Sequence, residues 1–205
     1  PAATGRYSVP RPAAGDTGRI SAVSVPIVLA PGTELLVRPE YLQSTATAAA
    51  KRTQWFLNAR HPLSSLASGM FALTRVRPHG EQAIVVSSTR DPLSEVGVVE
   101  LPEGSAVVCQ PRALAGVVKA ADRAVKITRH WRLGSLHAWL TFQLRFLVFH
   151  GPCTLVLRGC RGIRVEVAEP ERMVNQAATL GFSANVAYAN RRCETFVAYW
   201  TGAED

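Results

Sequence analysis

The sequence predicts an all-β protein, a barrel or sandwich of three similar β-units with at most one or two short helices. Two observations carry this. Residues 29–42, LAPGTELLVRPEYL, align without a gap on residues 101–114, LPEGSAVVCQPRAL, at an offset of 72: Leu29 with Leu101, Gly32 with Gly104, Leu35-Leu36 with Val107-Val108, Pro39 with Pro111, Leu42 with Leu114. Each copy follows an alternating run, ISAVSVPIVL and EVGVVEL, and period-2 alternation marks strands that turn one face inward. A weaker third copy, VAEPERMVNQAATL at 167–180, follows GIRVEV and keeps Val167, Met173-Val174 and Leu180 while losing the glycine. Such recurrence is what similar supersecondary units leave in a sequence.

Each unit reads as a strand, a Pro/Gly turn, a short apolar strand and a second turn at the proline or its equivalent. Ile163, Val165 and Val167 alternate with Arg164, Glu166 and Ala168, giving one dry and one wet face. The run 136–148 places Leu136, Ala138, Leu140, Phe142, Leu144, Phe146 and Val148 on an apolar face. Its other face, His137, Trp139, Thr141, Gln143, Arg145 and Leu147, is mixed and suits a covered or partner-binding surface. Gly151-Pro152 turns the chain out of that strand, residues 154–157 form the next, and Gly159 and Gly162 make a turn or bulge that opens the third unit. Between the first two units, Ser44 can cap a helix over TATAAAKRTQWFLNAR, residues 45–60, with Trp55, Phe56 and Leu57 packing it down.

Residues 1–19, with Pro1, Pro10, Pro12 and no apolar periodicity, read as an extended arm, and residues 20–205 as a single β-domain. An arm of this kind cannot build a core, so it is expected to lie across a neighbouring subunit. Hydrophobic residues make up 47% and charged residues 19%, a folded rather than a disordered balance. The longest apolar stretch, 136–149, is interrupted by His137, Gln143 and Arg145 and falls short of the roughly 18 residues that a bilayer-spanning helix needs. The chain opens at Pro1 without a methionine, so any leader is taken as removed or not included.

Charge is concentrated. Between residues 104 and 165 stand ten basic residues against Asp122 alone, a local +9 in a chain of net +8. Such a block suits an acidic protein surface, anionic lipid headgroups or nucleic acid. The residues expected to meet a partner are Arg123, Lys126, Arg129, Arg132, Trp139, Arg145, Arg158 and Arg161.

No catalytic or metal constellation stands out. The histidines at 61, 79, 130, 137 and 150 never form H-x-H, and no two cysteines form C-x-x-C, so neither a metal site nor any other cofactor is expected. His150 and Cys153 straddle a Gly-Pro turn without an orienting acid, which disfavours a nucleophile and base pair. Cys109, Cys153, Cys160 and Cys193 read as reduced, buried thiols, with a Cys153 to Cys160 disulfide as the alternative.

The segments VGVVELPEGSAVVCQPRAL, HGPCTLVLRGCRGIRVEVAEPE and NVAYANRRCETFVAYWTG resemble the altered inheritance of mitochondria protein 24 family over most of residues 20–202. The resemblance implies a fold like that of the tryptophan RNA-binding attenuation protein, a TRAP-like β-domain. It also implies a place at the mitochondrial inner membrane, peripheral to it, without an established reaction. The expected function is therefore that of a non-catalytic accessory or scaffold subunit of a larger complex. Its expected partners are other protein subunits and anionic headgroups. RNA binding through the block 112–164, with Trp131 and Trp139 as stacking platforms, is the second reading.

Overall fold

The computed structural model describes residues 20–45, 49–59, 62–67, 69–88, 91, 93–110, 113–131, 145–166 and 178–184. In chain order the elements are β1 (Ser21–Ala22), β2 (Ser24–Leu29), β3 (Thr33–Val37), a 3-10 turn (Pro39–Tyr41), β4 (Leu42–Ser44), β5 (Ala50–Phe56), α1 (Pro62–Ala67), β6 (Phe71–Arg77) and β7 (Gln82–Ser87). They continue with β8 (Ser94–Leu101), β9 (Ala106–Cys109), β10 (Leu114–Ala120), β11 (Lys126–Trp131), β12 (Arg145–His150), β13 (Cys153–Cys160) and β14 (Gly181–Ser183). The all-β expectation holds. Among the described residues there is no closed barrel but three open antiparallel sheets, ordered β1-β8-β13-β10-β3-β6-β5, β11-β12-β9-β14 and β2-β7-β4.

The seven-stranded sheet is central because both faces of its middle strands are dry. One core takes Leu36, Leu73, Val117, Leu155 and Leu157 from it and Val107, Cys109, Ile127, Leu147 and Phe149 from the four-stranded sheet. The other takes Leu35, Val37, Val76, Ala115 and Val156 from it and Ile27, Leu29, Ile84 and Val86 from the three-stranded sheet. Successive strand residues point to opposite faces, so neighbours such as Leu35 and Leu36, or Leu155 and Val156, enter different cores. That is why β3 reads as a continuous apolar run after Thr33 and Glu34 rather than as an alternation.

The 72-residue offset is a structural repeat. Leu29 and Leu101 are the buried last residues of β2 and β8. Gly32 and Gly104 both take a left-handed backbone, φ 81° and 79°, at the same point of the turn. Thr33 and Ser105 each donate from the amide to the carbonyl three residues back, both at 3.1 Å, and from the hydroxyl to the same carbonyl, both at 2.6 Å. A register irregularity falls at Leu42/Ser44 against β7 and at Leu114/Gly116 against β13.

The correspondence runs further than the sequence alignment. The order β10-β3-β6-β5 is matched by β14-β9-β12-β11, and β4-β7-β2 by β10-β13-β8. Residues 24–87 and 94–160 are therefore two copies of one six-stranded unit. The Arg38 amide meets the Ala115 carbonyl, and 72 residues later the Gln110 amide meets the Leu180 carbonyl, both at 2.9 Å. This makes β14 the counterpart of β10 in a third unit, whose residues 167–177 lie outside the described residues. So do residues 1–19 and 132–144, and with them the arm, Arg132, Trp139 and most of the long strand.

Four expectations are corrected. The helix over 45–60 is a strand from Ala50: β5 pairs with β6 from Ala50↔Arg77 to Phe56↔Phe71. Its alanines favour helix only weakly, and a sheet edge with seven residues to pair outweighs propensity. The helix that does form, α1, lies further along the β5 to β6 connection. On β12, Leu147 and Phe149 are buried while Val148 is only half-buried, so the core takes the odd-numbered face. The pairing Leu147↔Cys109 and Phe149↔Val107 turns that face onto the central sheet. Gly159 is inside β13, where a side chain would meet Ile163 Cγ1 at 2.6 Å, and the turn comes at Arg161-Gly162. Cys160 is exposed, and a Cys153 to Cys160 disulfide is ruled out because the two stand at opposite ends of one strand.

Two-sided burial has a direct test. Leu155→Ala should destabilise the protein by about 2–5 kcal/mol, and Val156→Ala, its neighbour on the other face, by about 2 kcal/mol. Urea unfolding checks this; a sheet with one wet face would tolerate one of the two.

Candidate docking surface

The chemistry of the surface starts at one buried carboxylate. Glu34 on β3 is 2% exposed. It accepts from Arg77 Nε at 2.6 Å on β6, from Lys119 Nζ at 2.5 Å on β10, and lies 3.7 Å from Arg75 Nε. Burial opposes ionisation of Glu34, but the hydrogen bonds from Lys119 and Arg77 and their charges outweigh it, and the carboxyl sits below its ordinary value. A lone buried carboxylate would be costly; cations on the strands either side offset that cost for Glu34.

The same residues organise a cationic band. Arg52 stands opposite Arg75, and Ala50 opposite Arg77, on the β5–β6 pair, and Ala50, Arg52, Arg75 and Arg77 line a shallow hollow. Beyond Glu34, Lys119 lines a cleft of about 220 Å³ with Arg123, Lys126, His150, Gly151 and Pro152, and Glu103 at its rim. Six cations are thus set on one side of the molecule against Glu34 and Glu103, and the Arg123–Glu103 pair is exposed at 3.5 Å, where it stabilises little. His150 is held below its ordinary value first by burial and then by the charge of Lys126. It contributes a neutral ring, and Nε2 lies 2.8 Å from Thr128 Oγ1.

Apolar groups flank the band. Phe56 and Phe71 face each other across β5 and β6, and Phe71 is 50% exposed. Trp55, 69% exposed, sits beside Phe56 on the opposite face, and Leu63 and Leu66 of α1 are exposed as well. Exposed aromatic rings next to arginines are the composition of an interface centre.

The expected site residues divide. Arg123 and Lys126 come together at the cleft. Arg158 does not: it stands two positions from Val156 on β13, on the side of the three-stranded sheet, and Nη1 donates to Tyr41 Oη at 2.7 Å. Arg161 is in the turn after β13, its amide on the Leu93 carbonyl at 2.8 Å. Arg129 and Arg145 are placed on β11 and β12 opposite Leu147 and Trp131, and their side chains lie outside the described residues. Sequence alone misses Arg52 and Phe56 because residues 45–60 read as helix, and Phe71, Arg75 and Arg77 because they lie outside the basic block at 104–165. Residues 50–56 carry no period-2 pattern that marks the strand, since both of its faces run polar, polar, aromatic.

His150 and Cys153 form no nucleophile and base pair. The thiol points to the His150 carbonyl at 3.6 Å, and burial pushes Cys153 up to about 11. Cys109 rises to about 12, by burial and then by its neighbour Cys153.

The fold defines an antiparallel β-protein built on a repeated six-stranded unit, with a cationic band along one side. Compared with known protein families, curated proteins and solved structures, the chain matches none of them.

Glu34→Gln should lower stability by about 3 kcal/mol at neutral pH, because Lys119, only 9% exposed, loses its counter-charge. The folded carboxyl is depressed, so its contribution is complete above the ordinary value of 4.5 and is lost as the pH falls below it. Denaturation of both proteins across that range should show the difference narrowing towards acid.

Proposed function

We propose that this chain is a non-catalytic docking subunit, an accessory or scaffold component that binds an acidic protein surface within a larger complex. The observation that carries the reading is the one-sided band of Arg52, Arg75, Arg77, Lys119, Arg123 and Lys126, flanked by exposed Phe56 and Phe71. Opposed charge speeds encounter and sets orientation, while desolvated rings supply holding energy. The resemblance to the altered inheritance of mitochondria protein 24 family supports a place at the mitochondrial inner membrane, where anionic headgroups offer the band a second acidic surface. Among the described residues no helix is long and apolar enough to cross a membrane.

The test compares polyglutamate, a single-stranded RNA and cardiolipin-containing vesicles as ligands for the full chain. Arg52→Glu with Lys126→Glu, both exposed positions, should weaken polyglutamate binding at least about tenfold, roughly 1.4 kcal/mol, and leave the melting temperature unchanged. Binding of RNA in preference to polyglutamate, falling steeply with salt, would replace this reading with the nucleic-acid one.

A further inference from the structure

Strand β5 ends the seven-stranded sheet, and among the described residues no strand pairs with its outer side. It differs from the opposite edge, β1, which is two residues long and therefore offers little to pair with. β5 is seven residues long, contains no proline, and is exposed at every position except Gln54. An edge of this length presents a row of amides and carbonyls without a strand partner, of which the Phe56 carbonyl accepts from Gln54 Nε2 at 2.8 Å, and another strand is what such a row binds.

The residues of β5 indicate which strand. When two copies of one strand pair antiparallel about a twofold axis perpendicular to the sheet, the axis passes through a residue that faces itself, because successive side chains alternate faces. A strand of seven residues has one register that uses its whole length, the one centred on its fourth residue, Thr53. In that register Arg52 faces Gln54 of the other copy, Lys51 faces Trp55, and Ala50 faces Phe56. No cation meets a cation, each copy's Lys51 ammonium meets the other's indole ring, a favourable cation and ring pair, and two threonines meet at the axis, a pair that stabilises sheets. Moving the axis one residue toward the N-terminus sets Arg52 against Arg52 and shortens the pairing to five residues. Moving it one residue the other way avoids that clash and also leaves five.

We propose that β5 pairs with β5 of a second copy about an axis through Thr53, joining two seven-stranded sheets into one continuous sheet. The dimer carries two cationic bands on one side, and its joined sheet ends at each side in the two-residue β1 rather than in β5. This inference stands apart from the docking reading, since it is read on the purified chain without a ligand.

The test is a cysteine scan in a Cys160→Ser, Cys193→Ser background under mild oxidation. Thr53→Cys should convert most of the chain to a covalent dimer, because facing residues in an antiparallel pair hold Cα atoms about 4.5–5.5 Å apart, inside the range a disulfide spans. Arg52→Cys and Gln54→Cys should each crosslink poorly alone and well when the two proteins are mixed. Thr53→Lys, which sets two ammonium groups face to face, should raise the dimer dissociation constant at least tenfold by light scattering, whereas Thr53→Val keeps the dimer. A monomeric parent, a Thr53→Cys variant without crosslinks, or a dimer unaffected by Thr53→Lys would each overturn the proposal. Those are also the outcomes if another segment of the chain, or β11 of a second copy, covers the edge.

Discussion

Everything else in the fold depends on the middle strands of the seven-stranded sheet, β13, β10 and β3, being dry on both faces. A strand whose alternate residues enter two different cores can expose neither set, and β3 shows the result: Leu35, Leu36 and Val37 are all at 0% exposure. The four-stranded and three-stranded sheets exist to cover these faces. The repeated unit supplies the covers. In each copy the middle strand pairs with a hairpin on one side and with the third strand of the next copy on the other. Successive units are therefore interlocked through shared sheets rather than strung as separate beads.

That constraint explains where the charges go. Glu34 occupies a buried position of β3, and the strands on either side answer with Lys119 and Arg77. Cations recruited to satisfy one buried carboxylate outnumber it, and the excess spreads along β5, β6, the turn after β10 and the start of β11. A structural solution to a buried charge becomes a surface with a net sign. The same arrangement links stability to pH, since the cation cluster loses its internal counter-charge when the carboxyl is protonated.

The two copies of the unit have diverged at their hairpins. β5–β6 and β11–β12 hold the same topological position, and each outer strand ends its sheet. Trp55 and Trp131 stand near the end of each outer strand. The first hairpin carries Arg52, Arg75 and Arg77 to the surface, whereas the second turns Leu147 and Phe149 onto the central sheet. One duplicate became cover and the other became surface, which is how a repeat acquires a distinct face without changing its fold.

The sequence by itself determined the all-β class, the strands that follow a period of two, and the turns at Gly32 and Gly104, because these depend on residues close together in the chain. It showed two units through the alignment at 72, and it marked Arg123 and Lys126 by their charge. It could not show that β5 is a strand: AKRTQWF has no strong preference, and only the exposed edge of β6 decides its state. It could not say which face of β12 is inward, since Phe146, Val148, Leu147 and Phe149 are all apolar and the pairing with β9 makes the choice. Nor could it gather the cationic band, whose members come from β5, β6, β10, the turn after it and the start of β11, or separate Arg158 from Arg123. Local periodicity records which side chains share a face; which face meets a neighbour is settled by sheet order, and sheet order is set by burial between residues distant in the chain.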